Sequence, residues 1–233
     1  MNNLNAISEE IRAELTEKNA ARDAAVVRSR ELIRCCAECI RAIHRHDWDD
    51  ATQRLAVVDE VAATLRTGVA PYPELYHSGY TQDALKEVVE AHLTFAIIAG
   101  RDLPTRAQLN VEGSTYLRGM AEAATELRRF ILDAMRRSAD HSAEAERLLA
   151  AMDAIYDQLV TFDFPDALTY GLRRQTDVVR GVLERTRGDL THSLRQQRLQ
   201  EALAAFEARL GLEAASAASL NLPDEEESDA TRP

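Results

Sequence analysis

The sequence predicts an all-α protein, and three observations lead to that class. Ala, Leu, Glu and Arg, which all favour helix, dominate the 233 residues. Runs of alternating β-branched residues, which would indicate strands, are absent. Aromatic residues make up only 5% of the chain, and nine glycines and six prolines leave few interruptions. Helix is therefore expected along nearly the whole chain.

The first two helices are delimited by polar residues and a glycine. The first is expected to run from about Ser8, its N-cap, to His46. The second opens at Asp47-Trp48-Asp49 and continues to about Thr67, where Gly68 ends it. Nine residues of the first helix are candidates for its apolar positions: Ile11, Leu15, Val26, Val27, Leu32, Ile33, Cys36, Ile40 and Ile43.

Proline and glycine divide the middle of the chain. The stretch from Pro71 to Tyr80 breaks the helical pattern, and a third major helix is expected from about Thr81 to Ala99. Gly100 to Gly113 is expected to be a loop with Pro104 at a turn. A fourth major helix should follow from about Ser114 to Arg137.

Two further helical segments complete the pattern. The fifth major helix is expected from about Ser142 to Thr161, after which Pro165 suits the start of another helix. Apolar residues from Leu168 onward predict a further helical stretch that can continue, straight or bent, through Leu210.

The chain is expected to form one domain over residues 1–212, because no linker rich in Pro, Gly or Ser divides it. Residues 213–233 are small, polar and acidic, and are expected to be a disordered tail. The 39 acidic and 28 basic residues give a formal net charge of -11. That balance argues against a simple basic nucleic-acid-binding protein.

The amino terminus and the lack of a long apolar run predict a soluble cytoplasmic protein. Cys35, Cys36 and Cys39 are close together with no further cysteine to complete a zinc site, so we interpret them as packing residues. The first fifteen residues are polar and acidic, unlike a signal peptide, and no apolar run is long enough to span a bilayer.

Two acidic pairs are the main indication of chemistry. Glu87 and Glu90 are three residues apart, and Glu122 and Glu126 are four apart, so each pair lies on one face of its helix. Both pairs are surrounded by apolar residues, where unpartnered acids are costly. If the pairs converge, four carboxylates would suit a hard cation such as Mg²⁺ or Mn²⁺.

A purely structural interpretation of these acids stays open. Glu-rich helices commonly carry solvated acids or surface ion pairs. Arg118, Arg128 and Arg129 lie close in sequence to the second pair and are the candidate partners.

Three stretches resemble the translin and Trax (translin-associated factor X) family. They are Lys86-Glu87-Val88-Val89-Glu90-Ala91, the segment from Tyr116 to Arg129, and Phe162-Asp163-Phe164-Pro165 followed by Leu172 to Asp189. The resemblance covers nearly the whole chain apart from the acidic tail. It implies an elongated antiparallel bundle of about seven helices that assembles into an oligomer, alone or with a translin-type subunit.

The resemblance also implies a function. Trax-type subunits are metal-dependent endoribonucleases, and the family binds single-stranded RNA or DNA. Glu87 and Glu90 match the acids of the first catalytic helix, Glu126 matches an acid of the next, and Glu122 stands where Trax-type chains usually have Asp. The implied activity is hydrolysis of RNA phosphodiesters with Mg²⁺ or Mn²⁺ held by these four residues. The alternative is a noncatalytic scaffold of the same fold that binds single-stranded RNA or DNA.

Two groups of arginines could supply the positive charge that binding a nucleic acid requires. Arg30, Arg34, Arg41 and Arg45 recur on one face of the first helix. A second group in the late helices begins with Arg173 and Arg174, followed by Arg180, Arg185 and Arg187. Both stripes are candidates for contacts with a phosphate backbone, and a solvated or ion-paired face is the alternative.

Aromatic residues near the first proline-rich break offer stacking contacts. Tyr76 and His77 are candidates for stacking on unpaired bases, although packing within the loop would explain them equally well. Glu74 and His77 also match half of a di-iron pattern, but the second copy that such a site needs is absent.

Overall fold

The computed structural model describes residues 3–137 and 142–210, and within these ranges the chain forms nine α-helices and no strand. The all-α class is therefore confirmed. The helices are α1 (Leu4–His44), α2 (Trp48–Val69), α3 (Pro73–Tyr76), α4 (Gly79–Ile98), α5 (Arg106–Leu109), α6 (Gly113–Arg137), α7 (Ser142–Leu159), α8 (Asp166–Thr169) and α9 (Leu172–Leu210). Six of them are long, and α3, α5 and α8 are single turns of four residues.

Two predicted helix ends were wrong. The N-cap of α1 is Asn3, so Ser8 lies inside the helix. The apolar spacing of Leu4 and Ile7 continues the pattern of the helix toward its start, and the helix continues with it. Gly68 likewise lies within α2, which continues to the fully buried Val69.

The expected start of α2 is confirmed. The Asp47 carboxylate accepts a hydrogen bond of 3.2 Å from the Asp50 amide, which satisfies one of the free N–H groups at the helix start.

Helices α3 and α5 lie where sequence reasoning expected a break and a loop. Helix α8 starts after Pro165 as expected but ends at Thr169, so the predicted helical stretch from Leu168 onward is interrupted before α9. Pro73 occupies the first turn of α3, and Pro165 is the N-cap of α8. A capping box starts α5, in which Thr105 accepts from the Gln108 amide at 3.2 Å and the Gln108 side chain accepts from the Thr105 amide at 2.7 Å. Local capping is enough to form a single turn, which hydrophobic periodicity cannot detect in four residues.

The core is built around α4. Helix α1 packs against α2 and α4, α4 packs against α6, and α6 packs against α7. Fourteen of the 20 residues of α4 are buried, so α4 is the central helix of this part of the chain. The predicted apolar face of α1 was partly wrong, because Leu32, Cys36 and Ile43 are buried whereas Ile11, Leu15, Val27 and Ile33 are exposed.

Gly119 allows α4 and α6 to approach closely. A Cβ atom at this position would lie 2.5 Å from Cβ of Val89 and 2.7 Å from the backbone oxygen of Lys86. No side chain larger than hydrogen fits there without displacing a helix. Lys86 is adjacent to Glu87, and Gly119 lies about one helical turn before Glu122. The close contact between Gly119 and α4 therefore sets the distance between the two acidic segments.

The internal contacts divide the chain into two units, Met1–Leu190 and Thr191–Pro233. The described part of the second unit is the remaining length of α9, which is a single helix that includes Gly181 and Gly188. The predicted tail, residues 213–233, lies outside the described residues. Within the described ranges, none of the helices combines the length and the apolar character that crossing a membrane requires.

Candidate metal centre

Three of the four predicted acids meet at the contact between α4 and α6. Glu87 and Glu90 project from α4 and Glu122 projects from α6, and one carboxylate oxygen of each lies within 4.8 Å of the other two. Among the described residues, this is the one group of three or more His, Cys, Asp or Glu side chains with such proximity. We call these three residues the acidic cluster.

Glu90 is the most buried member, with 8% of its surface exposed. Burial, together with the charges of Glu87, Glu122 and Glu126, raises the pKa of Glu90 to about 9. The raised pKa favours the protonated form of Glu90 in the absence of a metal.

Glu122 interacts with two donors from other elements. Its Oε1 atom accepts from Lys86 Nζ at 2.7 Å and from Gln175 Nε2 at 3.1 Å. Burial raises the pKa of Glu122, although Lys86 acts in the opposite direction. Burial lowers the pKa of Lys86, but its contacts with Glu122 and Glu87 outweigh burial and raise it overall.

Glu126 lies beside the acidic cluster and is held by α1. Its Oε2 atom is 2.8 Å from Nε2 of His44, whose ring stacks on Phe130 at a centroid distance of 4.2 Å. Glu126 is close enough for its charge to raise the pKa of Glu90. The structure thus brings three acids together and places the fourth next to them.

Of the three arginines that sequence reasoning considered as partners of the acids, Arg118 and Arg128 bind other residues instead. Arg118 donates to Asp83 at 2.6 Å and affects Glu122 only through its charge. Arg128 donates to Thr186 at 3.0 Å and to Asp189 at 2.8 Å. The partners of the acids are Lys86, Gln175 and His44.

The side chains of the acidic cluster fit a hard divalent cation. All three offer carboxylate oxygens, which Mg²⁺ and Mn²⁺ prefer. The Oε1 atom of Gln175 is buried and has no hydrogen-bond partner among the described residues, so a further neutral oxygen lies beside Glu122.

The first arginine stripe is exposed along α1. Arg30, Arg34, Arg41 and Arg45 are all exposed, and Arg45 donates to Asp50 at 3.0 Å. Glu38, which lies on the same helix, pairs with Arg54 at 2.6 Å. Within the part of the chain that the structure describes, no ion pair involves the other three stripe arginines.

The other predicted nucleic-acid contacts are separate features of the surface. Arg173 pairs with Asp163 at 2.6 Å, and Arg174 is exposed. The rings of Tyr76 and His77 meet edge to face at 4.9 Å, and Glu74 pairs with Lys18 rather than with His77. None of these residues contacts the acidic cluster within the described ranges.

Sequence reasoning missed four residues that shape the site: His44, Lys86, Gly119 and Gln175. Lys86 is adjacent to Glu87, and that adjacency was an available signal. His44 and Gln175 lie 82 and 53 residues from their acidic partners, and only the packing of α1 and α9 brings them to α6.

Comparisons with known proteins identify the family. No protein-family model matches the chain. The chain is 34% identical over 191 residues to an uncharacterised protein of Methanocaldococcus jannaschii. The matched region covers 81% of this chain and 83% of the relative. The structure of this chain is similar to the crystal structure of AfC3PO, with a TM-score of 0.74 and 33% sequence identity. The match covers 82% of this chain and 98% of AfC3PO. C3PO is the translin/Trax complex. This chain belongs to the translin/Trax family.

A second crystal structure supports the translin/Trax fold. Apo-NeC3PO matches with a TM-score of 0.69 over 79% of this chain and 96% of that one. Its sequence identity is 20%, so this similarity concerns the fold alone. The similarity to AfC3PO confirms the translin/Trax family, and both structures confirm the fold.

Proposed function

We propose that this translin/Trax protein is a metal-dependent endoribonuclease that binds single-stranded RNA and hydrolyses its phosphodiester bonds. The observation that carries the proposal is the acidic cluster, whose carboxylate oxygens lie within 4.8 Å of one another. Glu87, Glu90 and Glu122 would hold Mg²⁺ or Mn²⁺, and Glu126 would complete the set of acids. When bound, such an ion orients water and offsets negative charge on the phosphate in the transition state.

The chain's own residues support this chemistry by fixing the acids. His44 orients the Glu126 carboxylate, and its ring is held in turn by stacking on Phe130. Gln175 fixes one oxygen of Glu122. Partners of this kind commonly hold metal-binding carboxylates in position.

The arginines of α1 support binding of a nucleic acid. Arg30, Arg34 and Arg41 present three exposed guanidinium groups on one helix face, and guanidinium groups match phosphate geometry. We propose that this face binds the backbone of single-stranded RNA or DNA, with Arg45, Arg173 and Arg174 adding charge. Tyr76 and His77 would stack on unpaired bases.

We also propose that the protein works as an oligomer, either of itself or with a translin-type subunit. AfC3PO and NeC3PO are named as C3PO, the translin/Trax complex. Large apolar side chains are exposed at helical spacing on two segments, Leu4, Ile7, Ile11 and Leu15 of α1 and Leu199, Leu203 and Phe206 of α9.

Three free cysteines on α1 support a reducing, cytoplasmic location.

The test is cleavage of labelled single-stranded RNA by the full-length chain with Mg²⁺ or with EDTA. Glu90→Gln should abolish cleavage and retain RNA binding, because the neutral amide resembles the protonated Glu90 of the metal-free protein but ligates a cation poorly. Glu60→Gln on the exposed face of α2 is the matched control and should cleave normally. Equal cleavage by both variants would refute the proposed site. Tight binding without cleavage by the native chain would instead support the noncatalytic scaffold.

A further inference from the structure

Lys86 lies inside the acidic cluster. Its Nζ atom is 2.7 Å from Glu122 Oε1 and 3.2 Å from Glu87 Oε1, so one ammonium group bridges the two acidic helices. Only 12% of its side chain is exposed, against 24% for Glu87 and 28% for Glu122. An ammonium group buried this deeply between two carboxylates is part of the site and not a surface ion pair.

Lys86 offsets part of the negative charge of the site. Its ammonium group contacts one carboxylate oxygen of Glu87 and one of Glu122, so a single positive charge is shared between two acids at short range. Arg118, whose charge also acts on Glu122, donates to Asp83 outside the cluster.

The Lys86 ammonium and a divalent cation would compete for the same oxygens. Both are positive, and two positive charges a few ångströms apart in a partly buried site repel each other strongly. Glu87 and Glu122 therefore bind a divalent cation less tightly while their oxygens contact Nζ.

We propose that the Lys86 ammonium is the resident counter-ion of the acidic cluster, and that Glu87 and Glu122 ligate a divalent cation only after it has left them. This inference rests on the metal-dependent function proposed above. Lys86 thereby holds α4 and α6 together before metal binding and lowers the affinity of the site for metal. Its flexible four-carbon stem allows the ammonium to withdraw toward solvent.

The first test is the affinity of the full chain for Mn²⁺, measured by isothermal titration calorimetry without RNA. Lys86→Met keeps the length of the side chain and removes its charge, and it should bind Mn²⁺ at least tenfold more tightly. Lys86→Arg retains the charge and should bind no more tightly than the native chain. Lys18→Met is the matched control, because Lys18 forms a 2.6 Å ion pair with Glu74 away from the cluster, and its affinity should be unchanged.

The results separate this inference from the proposed function. Binding by the native chain with equal or weaker binding by Lys86→Met would overturn the counter-ion role and leave the metal site intact. Absence of binding by both proteins would overturn both proposals. Thermal unfolding in EDTA should show that Lys86→Met is folded but less stable than the native chain, with the difference narrowing at saturating Mn²⁺.

A second measurement follows the lysine itself. Lys18 and Lys86 are the only lysines in the sequence, so protein labelled with ¹³C-lysine gives two resolvable Cε signals by NMR. Saturating Mg²⁺ should shift the Lys86 signal and leave that of Lys18 in place. An unchanged Lys86 signal under conditions where calorimetry shows binding would refute the displacement.

Discussion

His44 Nε2 lies 2.8 Å from Glu126 Oε2, and this contact ties the end of α1 to the acidic face of α6. The two residues are 82 positions apart in the sequence. His44 is buried with 4% of its side chain exposed, so its ring has little freedom to reorient. The end of α1 thus contributes to the orientation of an acid that α6 carries.

Replacing His44 with Ala should weaken both metal binding and RNA cleavage by about 10–100-fold, the usual effect of removing a residue that orients a metal ligand. Glu126→Gln should abolish cleavage and leave RNA binding intact. Cleavage rates and Mn²⁺ calorimetry measure these effects. His92→Ala is the matched control, since His92 lies 2.9 Å from the exposed Asp59 and outside the cluster. Equal losses in the two histidine variants would show that His44 has no specific role.

Gly119→Ala should destabilise the protein by about 1–3 kcal/mol, because the new Cβ would collide with Val89 and with the Lys86 backbone. Chemical denaturation measures the change. The same variant should lose metal affinity, since α4 and α6 must separate to accommodate the methyl group. Gly188→Ala in α9 is the control, where a Cβ meets no atom within 4 Å and the change should be neutral or stabilising. A Gly119 variant as stable as the native chain would contradict the close approach.

The stability of the metal-free protein should fall as pH rises from about 5 to about 9. The pKa of Glu90 is raised from an ordinary value of 4.5 to about 9 in the folded protein, so within this window the folded state binds more protons than the unfolded state. The contribution of protonated Glu90 is fully present at low pH and lost as pH passes about 9. Melting temperatures in EDTA should show this fall in the native chain and a smaller one in Glu90→Gln. Parallel curves for the two proteins would exclude Glu90 as the cause.

Removing three arginines of α1 together should weaken binding of single-stranded RNA and reduce its salt dependence. The variant Arg30→Ala, Arg34→Ala, Arg41→Ala removes up to three phosphate contacts, which would lower the slope of log K against log salt by about 2. Fluorescence anisotropy across a salt series measures both quantities. The control replaces three exposed arginines that have acidic partners, Arg12, Arg22 and Arg136, and should retain most of the affinity. Equal slopes for both variants would place the binding face elsewhere.

The long helices could be predicted from the sequence because periodicity and capping act locally. Asp47 is a case in which the expected N-cap and the observed hydrogen bond agree. The start of α1 and the end of α2 were misplaced because Ser8 and Gly68 are frequent boundary residues that a long helix can also include. The turns at α3, α5 and α8 are too short to produce a periodic signal.

The site was predictable in part for the same reason. Spacing along one helix places Glu87 beside Glu90, and the family resemblance relates them to Glu122. Contacts between distant segments, such as that of Gln175 with Glu122, depend on how α9 packs, and no local pattern encodes that packing. The role of Gly119 was also hidden, because a glycine inside a helix has the same appearance in sequence whether or not a neighbouring backbone approaches it.

The ion pairs of Lys86 with Glu87 and Glu122 allow the protein to fold without a bound metal ion. In many small metalloproteins the ligands repel one another until the ion arrives, so the apoprotein is unfolded. Here a proton on Glu90 and the ammonium of Lys86 relieve that repulsion from within the chain. The polypeptide can thus reach its native structure before it binds a metal ion. A chelator would then remove the metal reversibly without unfolding the protein.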